Sequence, residues 1–329
     1  MDRSFHQRIT RRVPGVVAAT LVDGDLECGG FGTFDHAPNA DNLRWEIGSI
    51  TKVFTGILLA EMSLRGEVGL DDPVGLHVPE VVAEWMPAPE LQPTLSDLSS
   101  HTAGLPRIPR QWLKRLKGTD DPYSHLTEQD VWDVLGPTTL RPRKRRPRYS
   151  NYGAGLLGHL LGRAAGVGYE TLVSDRILTP LRLFATDFGS ADVVQGYRGR
   201  KPTPPWTFGA LQGAGALRST AADMITFANA CIDRPDGILG EAMELARQPV
   251  YNGRFGIGSV GLGWQMRAMP PSRPAGRTTW HNGGTYGGSS FLAVDAERRI
   301  AVVAFGNRGP RITSPLDRPS WRLFDGLGT

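Results

Sequence analysis

The chain has 329 residues, of which 40% are hydrophobic and 21% charged, enough apolar material for a sizeable core and against wholesale disorder. Its 41 glycines and 25 prolines make it loop-rich without reaching low-complexity composition. The net charge of +4 traces to one strip, Arg141, Arg143, Lys144, Arg145, Arg146 and Arg148, and the rest is near neutral. Two cysteines, Cys28 and Cys231, cannot build a disulfide framework, and neither lies in a CxxC pair.

The first residues hold no apolar run of signal-peptide type, and no stretch approaches a spanning helix. A cytoplasmic protein without a membrane span is therefore expected. Residues 15–21 form an apolar, β-branched run, followed by Asp23-Gly24-Asp25 and a return strand over 26–34. Over 50–64, Val53, Phe54, Ile57, Leu58 and Met62 fall at helical spacing, with a stop near Gly66. From 71 to 205 the texture changes to short helices between proline-rich loops. Leu156, Leu157, Leu160 and Leu161 mark one helix face there, and 169–178 marks another helix. A helix over 219–230 is capped by Ser219 or Thr220, with Asp223 near its third position. The period then switches to two, which predicts strands over 261–266, 277–280, 289–294 and 300–305.

Strands at both ends with helices between them predict an α+β fold, an antiparallel sheet flanked by helices. Residues 1–70 and 206–329 would form one unit, and 71–205 an inserted, mainly helical one. The active site would lie between the two.

Three short motifs carry chemistry. In Ser49-Ile50-Thr51-Lys52, a helix starting near Ser49 places the lysine amine on the same face as the serine hydroxyl. A partly desolvated lysine of lowered pKa can take the proton that makes serine a nucleophile. Tyr149-Ser150-Asn151 opens the helix that contains Leu156. A phenol beside a cationic amine can shuttle protons, and the Asn151 amide can orient lysine and substrate. His281-Asn282-Gly283-Gly284 ends a predicted strand, where paired glycines let a substrate lie against the strand edge. Two other patterns fail their context. The glycines of 256–261 precede a strand rather than a helix, and Ser289-Ser290 lacks the G-x-S-x-G elbow.

Taken in this order, the motifs resemble those of the serine β-lactamase and penicillin-binding-protein superfamily, closest to its branch of class C-like β-lactamases, DD-peptidases and esterases. Glu46-Ile47-Gly48, Leu70-Asp71-Asp72-Pro73-Val74, His101-Thr102-Ala103-Gly104-Leu105-Pro106 and Gly261-Leu262-Gly263-Trp264 extend the resemblance over roughly residues 14–309. The resemblance implies acylation of Ser49, with Lys52 and Tyr149 sharing the proton work. It also implies that Asn151 positions Lys52 and substrate, and that the backbone N–H groups of Ser49 and Gly284 form an oxyanion hole. No metal and no organic cofactor are implied.

Where many β-lactamases have Lys-Thr-Gly, this chain has His281-Asn282-Gly283, a weaker anchor for a substrate carboxylate. The expected function is therefore a serine hydrolase of small-molecule esters or amides. A β-lactamase or D-Ala-D-Ala peptidase, an acyltransferase, and a non-catalytic binding protein on the same fold are the alternatives. The strip from Arg141 to Arg148 reads as a solvated loop or as a rim for anionic or carrier-borne acyl substrates. It has no interleaved aromatics, so nucleic acid is not an expected partner.

Overall fold

The structure, a computed structural model, describes residues 9–10, 13–135, 146–253, 258–267, 278–310 and 313–327. An Asp23-Gly24 turn folds β1 (Gly15–Val22) back onto β2 (Asp25–Gly32), and Gly24 takes the positive φ of 92° that so tight a reversal needs. In α1 (Thr51–Leu64) every residue from Thr51 to Met62 is buried, so this is a central helix and not an amphipathic surface one. Ser150 caps α2 (Asn151–Ala165) by accepting from the Gly153 N–H, and Gly166 ends it at a φ of 70°. The predicted helix over 169–178 is α-helical over Tyr169–Val173 and continues as a π-helical turn over Ser174–Leu178. Thr220, not Ser219, caps α3 (Ala221–Asp233). Two further helices, α4 (Ile238–Ala246) and α5 (Asp317–Gly326), are absent from the sequence reading.

The predicted strand over 261–266 shrinks to β3 (Gln265–Met266) for a steric reason. Gly263 lies at a φ of 72°, and a Cβ there would sit 2.0 Å from the Lys52 carbonyl oxygen. The Gly-Leu-Gly-Trp stretch is thus a backing plate for α1, and buried Trp264 stacks on Phe227 behind it. After it come β4 (Thr278–Gly284), β5 (Ser289–Asp295) and β6 (Ile300–Gly306).

The six strands pair antiparallel in the order β2-β1-β6-β5-β4-β3. Because β1 pairs with β6 from Val16↔Gly306 to Val22↔Ile300, the two ends of the sequence meet in mid-sheet. Both sheet faces are covered, so β6 is buried along its whole length where a period of two was expected, and β1 is buried over all but its last residue. Val17, Val303 and Phe305 face α1 and α3, whereas Val16, Val302 and Ala304 face Leu316 and Phe324 at α5. Leu156, Leu160 and Trp132, from the helical middle of the chain, belong to the same core as Phe54 and Val303. Among the described residues no helix is long and apolar enough to cross a membrane.

Candidate active site

Ser49 sits in the short 3-10 turn Gly48–Ile50 that runs into α1, and Lys52 is the second residue of α1. Gly48 makes this placement possible. It holds a φ of 50°, and a Cβ on it would come within 2.9 Å of the Gly284 nitrogen. The turn therefore packs directly against the end of β4.

Lys52 is 2% exposed, and its Nζ has three partners. They are Ser49 Oγ at 3.1 Å, Asn151 Oδ1 at 2.9 Å and the Ala214 carbonyl at 2.6 Å. Burial holds its pKa well below the usual lysine range, and the positive charge of Arg107 pushes the same way. Nζ donates to all three oxygens, which hold the amine of lowered pKa directly against the Ser49 hydroxyl.

Tyr149 lies above this pair, its ring centroid 4.8 Å from Lys52 Nζ. Burial raises its pKa, while a hydrogen bond with Ser49 and the charge of Arg107 oppose the rise. The phenol is thus protonated at neutral pH and in contact with the nucleophile. The Tyr-Ser-Asn segment is held by the backbone of 101–107. The Arg107 carbonyl accepts from the N–H groups of Asn151 at 3.0 Å and Tyr152 at 3.2 Å. Ser150 Oγ donates to the Pro106 carbonyl at 2.7 Å, and the Ser150 N–H donates to His101 Nδ1 at 3.3 Å. His101 is therefore a hydrogen-bonded packing residue, its ring 4.5 Å from that of Tyr149. Among the described residues no cluster of potential metal ligands occurs.

The third motif divides between two faces of the sheet. His281 is buried beneath the site, its ring centroid 6.2 Å from Tyr149. Its Nδ1 donates to the Asn282 carbonyl at 2.6 Å, and its Nε2 has no partner among the described residues. Burial and the charge of Lys52 pull its pKa down to about 3, so the imidazole is neutral. Asn282 points the opposite way, donating from Nδ2 to Asp317 at 2.8 Å on the α5 side. The expectation that its side chain lines the site is thus corrected, because consecutive strand residues alternate faces. Gly283 and Gly284 do lie at the site. A Cβ on Gly283 would sit 2.1 Å from the Ile47 carbonyl oxygen. β3 pairs only with Thr279 and Trp280, so the β4 edge from His281 to Gly284 has no strand partner among the described residues.

Sequence reading passed over two residues of this site. Tyr123 accepts from Asn151 Nδ2 at 3.2 Å and packs its ring against Trp206 and Phe208. Arg107 places its guanidinium carbon 5.4 Å from the Tyr149 ring centroid. Both come from loops without periodicity, and the aromatic partners of Tyr123 lie more than 80 positions away, so the sequence offered no local signal. Of the basic strip, Arg141, Arg143, Lys144 and Arg145 lie outside the described residues, and Arg146 and Arg148 are exposed.

Comparison across families places the whole chain. The family model described as Beta-lactamase matches residues 1–324. The chain belongs to the beta-lactamase family. It is 26% identical to a beta-lactamase of Escherichia coli strain K12, over 98% of this chain and 92% of that protein. To penicillin-binding protein 4* of Bacillus subtilis it is 24% identical, over 82% of this chain and 62% of that protein. The fold matches a class C beta lactamase from Rhodobacter sphaeroides at a TM-score of 0.78 and 21% identity, covering 98% of each chain. An octameric penicillin-binding protein homologue from Pyrococcus abyssi matches at 0.80 and 24% identity, over 99% of this chain and 76% of that one. Membership makes this chain a serine hydrolase of the β-lactamase and DD-peptidase superfamily.

Proposed function

We propose that the protein hydrolyses ester or amide bonds of small molecules through an acyl-enzyme on Ser49. The observation that carries this reading is the buried Lys52 amine, its pKa lowered by burial, held 3.1 Å from the Ser49 hydroxyl whose proton it would accept. Lys52 takes that proton, and Ser49 Oγ attacks the substrate carbonyl. The N–H groups of Ser49 and Gly284, brought together by Gly48, receive the oxyanion. Tyr149 gives its proton to the leaving group, and with Lys52 activates the water that discharges the acyl group. Asn151 links Lys52 to Tyr123 and keeps the amine in place.

Within this reading, His281 favours esters and simple amides over β-lactams. The β4 strand presents a neutral, buried imidazole where many β-lactamases have an ammonium, and its next side chain belongs to α5. A β-lactamase or DD-peptidase activity is the second reading, favoured by the match to the Escherichia coli beta-lactamase over nearly its full length. The two are separated by incubating the protein with fluorophosphonate and penicillin probes and assaying p-nitrophenyl esters beside a chromogenic cephalosporin. Ester turnover with little cephalosporin turnover is expected, and Ser49→Ala should abolish both labelling and turnover. Labelling and turnover that survive Ser49→Ala would sink the acyl-enzyme mechanism.

A further inference from the structure

Arg107 lies in the loop that holds Tyr149 and Asn151 in place, the loop wall of the site. Its backbone is pinned by the two hydrogen bonds from Asn151 and Tyr152, while its side chain is exposed beside the Tyr149 ring. Among the described residues its guanidinium forms no ion pair, and outside them the sequence holds a single acidic residue, Asp2. Among the described residues, no carboxylate is among the groups whose charge shifts Lys52, His101 or His281. The buried carboxylate of Glu46 is taken up by the Trp206 N–H and the Thr285 hydroxyl. Arg107 is thus an exposed cation beside the phenol, with five N–H donors and no ion-pair partner among the described residues.

We propose that Arg107 is the specificity-determining residue that selects substrates carrying a carboxylate on the leaving-group half. The proposal rests on the acyl-enzyme reading, in which Tyr149 protonates the leaving group, so a guanidinium bordering Tyr149 borders that half. It assigns anion recognition to the loop wall, since neither His281 nor Asn282 supplies a cation from β4.

The test compares kcat/KM for phenyl acetate and for 3-carboxyphenyl acetate in the full chain, its Arg107→Gln variant and its Arg107→Lys variant. A ratio of the two substrates cancels any effect of Arg107 on the basicity of Lys52. The wild type is expected to prefer the carboxylated ester by about tenfold or more, a preference that weakens in about 0.5 M salt. Arg107→Gln should remove most of that preference, and Arg107→Lys should keep an intermediate share. Both variants retain the backbone carbonyl that holds Asn151, and a thermal melt confirms folding. An unchanged ratio in Arg107→Gln, or no preference in the wild type, overturns the proposal. So does a preference that depends on Arg107 only when the carboxylate is moved to the acyl half, as in monophenyl succinate. If neither ester is turned over and Ser49 resists acylation by the probes, the acyl-enzyme reading itself falls, and the proposal with it.

Discussion

The two walls of the cleft are held by different means. Ser49 and Lys52 ride on a helix buried on all sides, backed by Gly263 and Trp264, so the amine stays dry. Tyr149 and Asn151 stand at the mouth of a helix whose approach is fixed by backbone hydrogen bonds from 101–107, with Arg107 exposed at its edge. The helical wall thus sets protonation through burial, and the loop wall sets position through hydrogen bonds. A buried amine is costly to stability whereas satisfied hydrogen bonds are not, so the walls should respond in opposite ways to mutation.

The largest effect is expected at Lys52→Met. Without the base, turnover should fall by about 10²–10⁴-fold or more. The same change should raise Tm at neutral pH, because burial in the folded state disfavours the charged amine, a cost the apolar side chain does not carry. Calorimetry and ester kinetics on one preparation check both signs, and a Tm that drops would contradict the cost assigned to the helical wall. On the loop wall, Tyr123→Phe leaves Asn151 Nδ2 without its acceptor. That should cost about 1–3 kcal/mol of stability together with a roughly tenfold loss of kcat/KM, both lost together rather than exchanged.

The smallest effect concerns acid. His281 has a folded pKa of about 3 against an ordinary 6.5, so stability it supports at neutral pH is lost as pH falls through that window. In His281→Asn the difference from wild type should shrink by about pH 4.5, read as paired Tm values at that pH and at about pH 7. Pairing the proteins removes the opposite contribution of Glu46 and Asp223, whose carboxyl pKa values burial raises.

Much of the helical wall was legible in the sequence, because the SxxK spacing and the apolar run after it are local patterns. The sheet was legible too, β1 from its apolar, β-branched run and β5 and β6 as strands, although these two are buried throughout instead of alternating with a period of two. The loop wall was not. Arg107 and Tyr123 act through contacts across 28 to 45 positions of chain, for which sequence carries no periodic signal. The Asn282 assignment failed for a reason already in the sequence: it follows His281 directly, and neighbours in a strand cannot share a face. α4 follows Asp236-Gly237, and α5 carries Pro319 within its first turn and a strongly polar face, which masked both.

The open edge of β4 has a consequence for solubility. A row of unpaired strand groups left free for a ligand is also a template on which another chain can add a strand. Among the described residues the stretch without a strand partner runs from His281 to Gly284, bounded on one side by the two-residue β3 and on the other by the Ser49 turn. Two of its four residues are glycines with no side chain to grip a partner strand. The edge is long enough to seat a small acyl substrate and too short to zip up with a second copy.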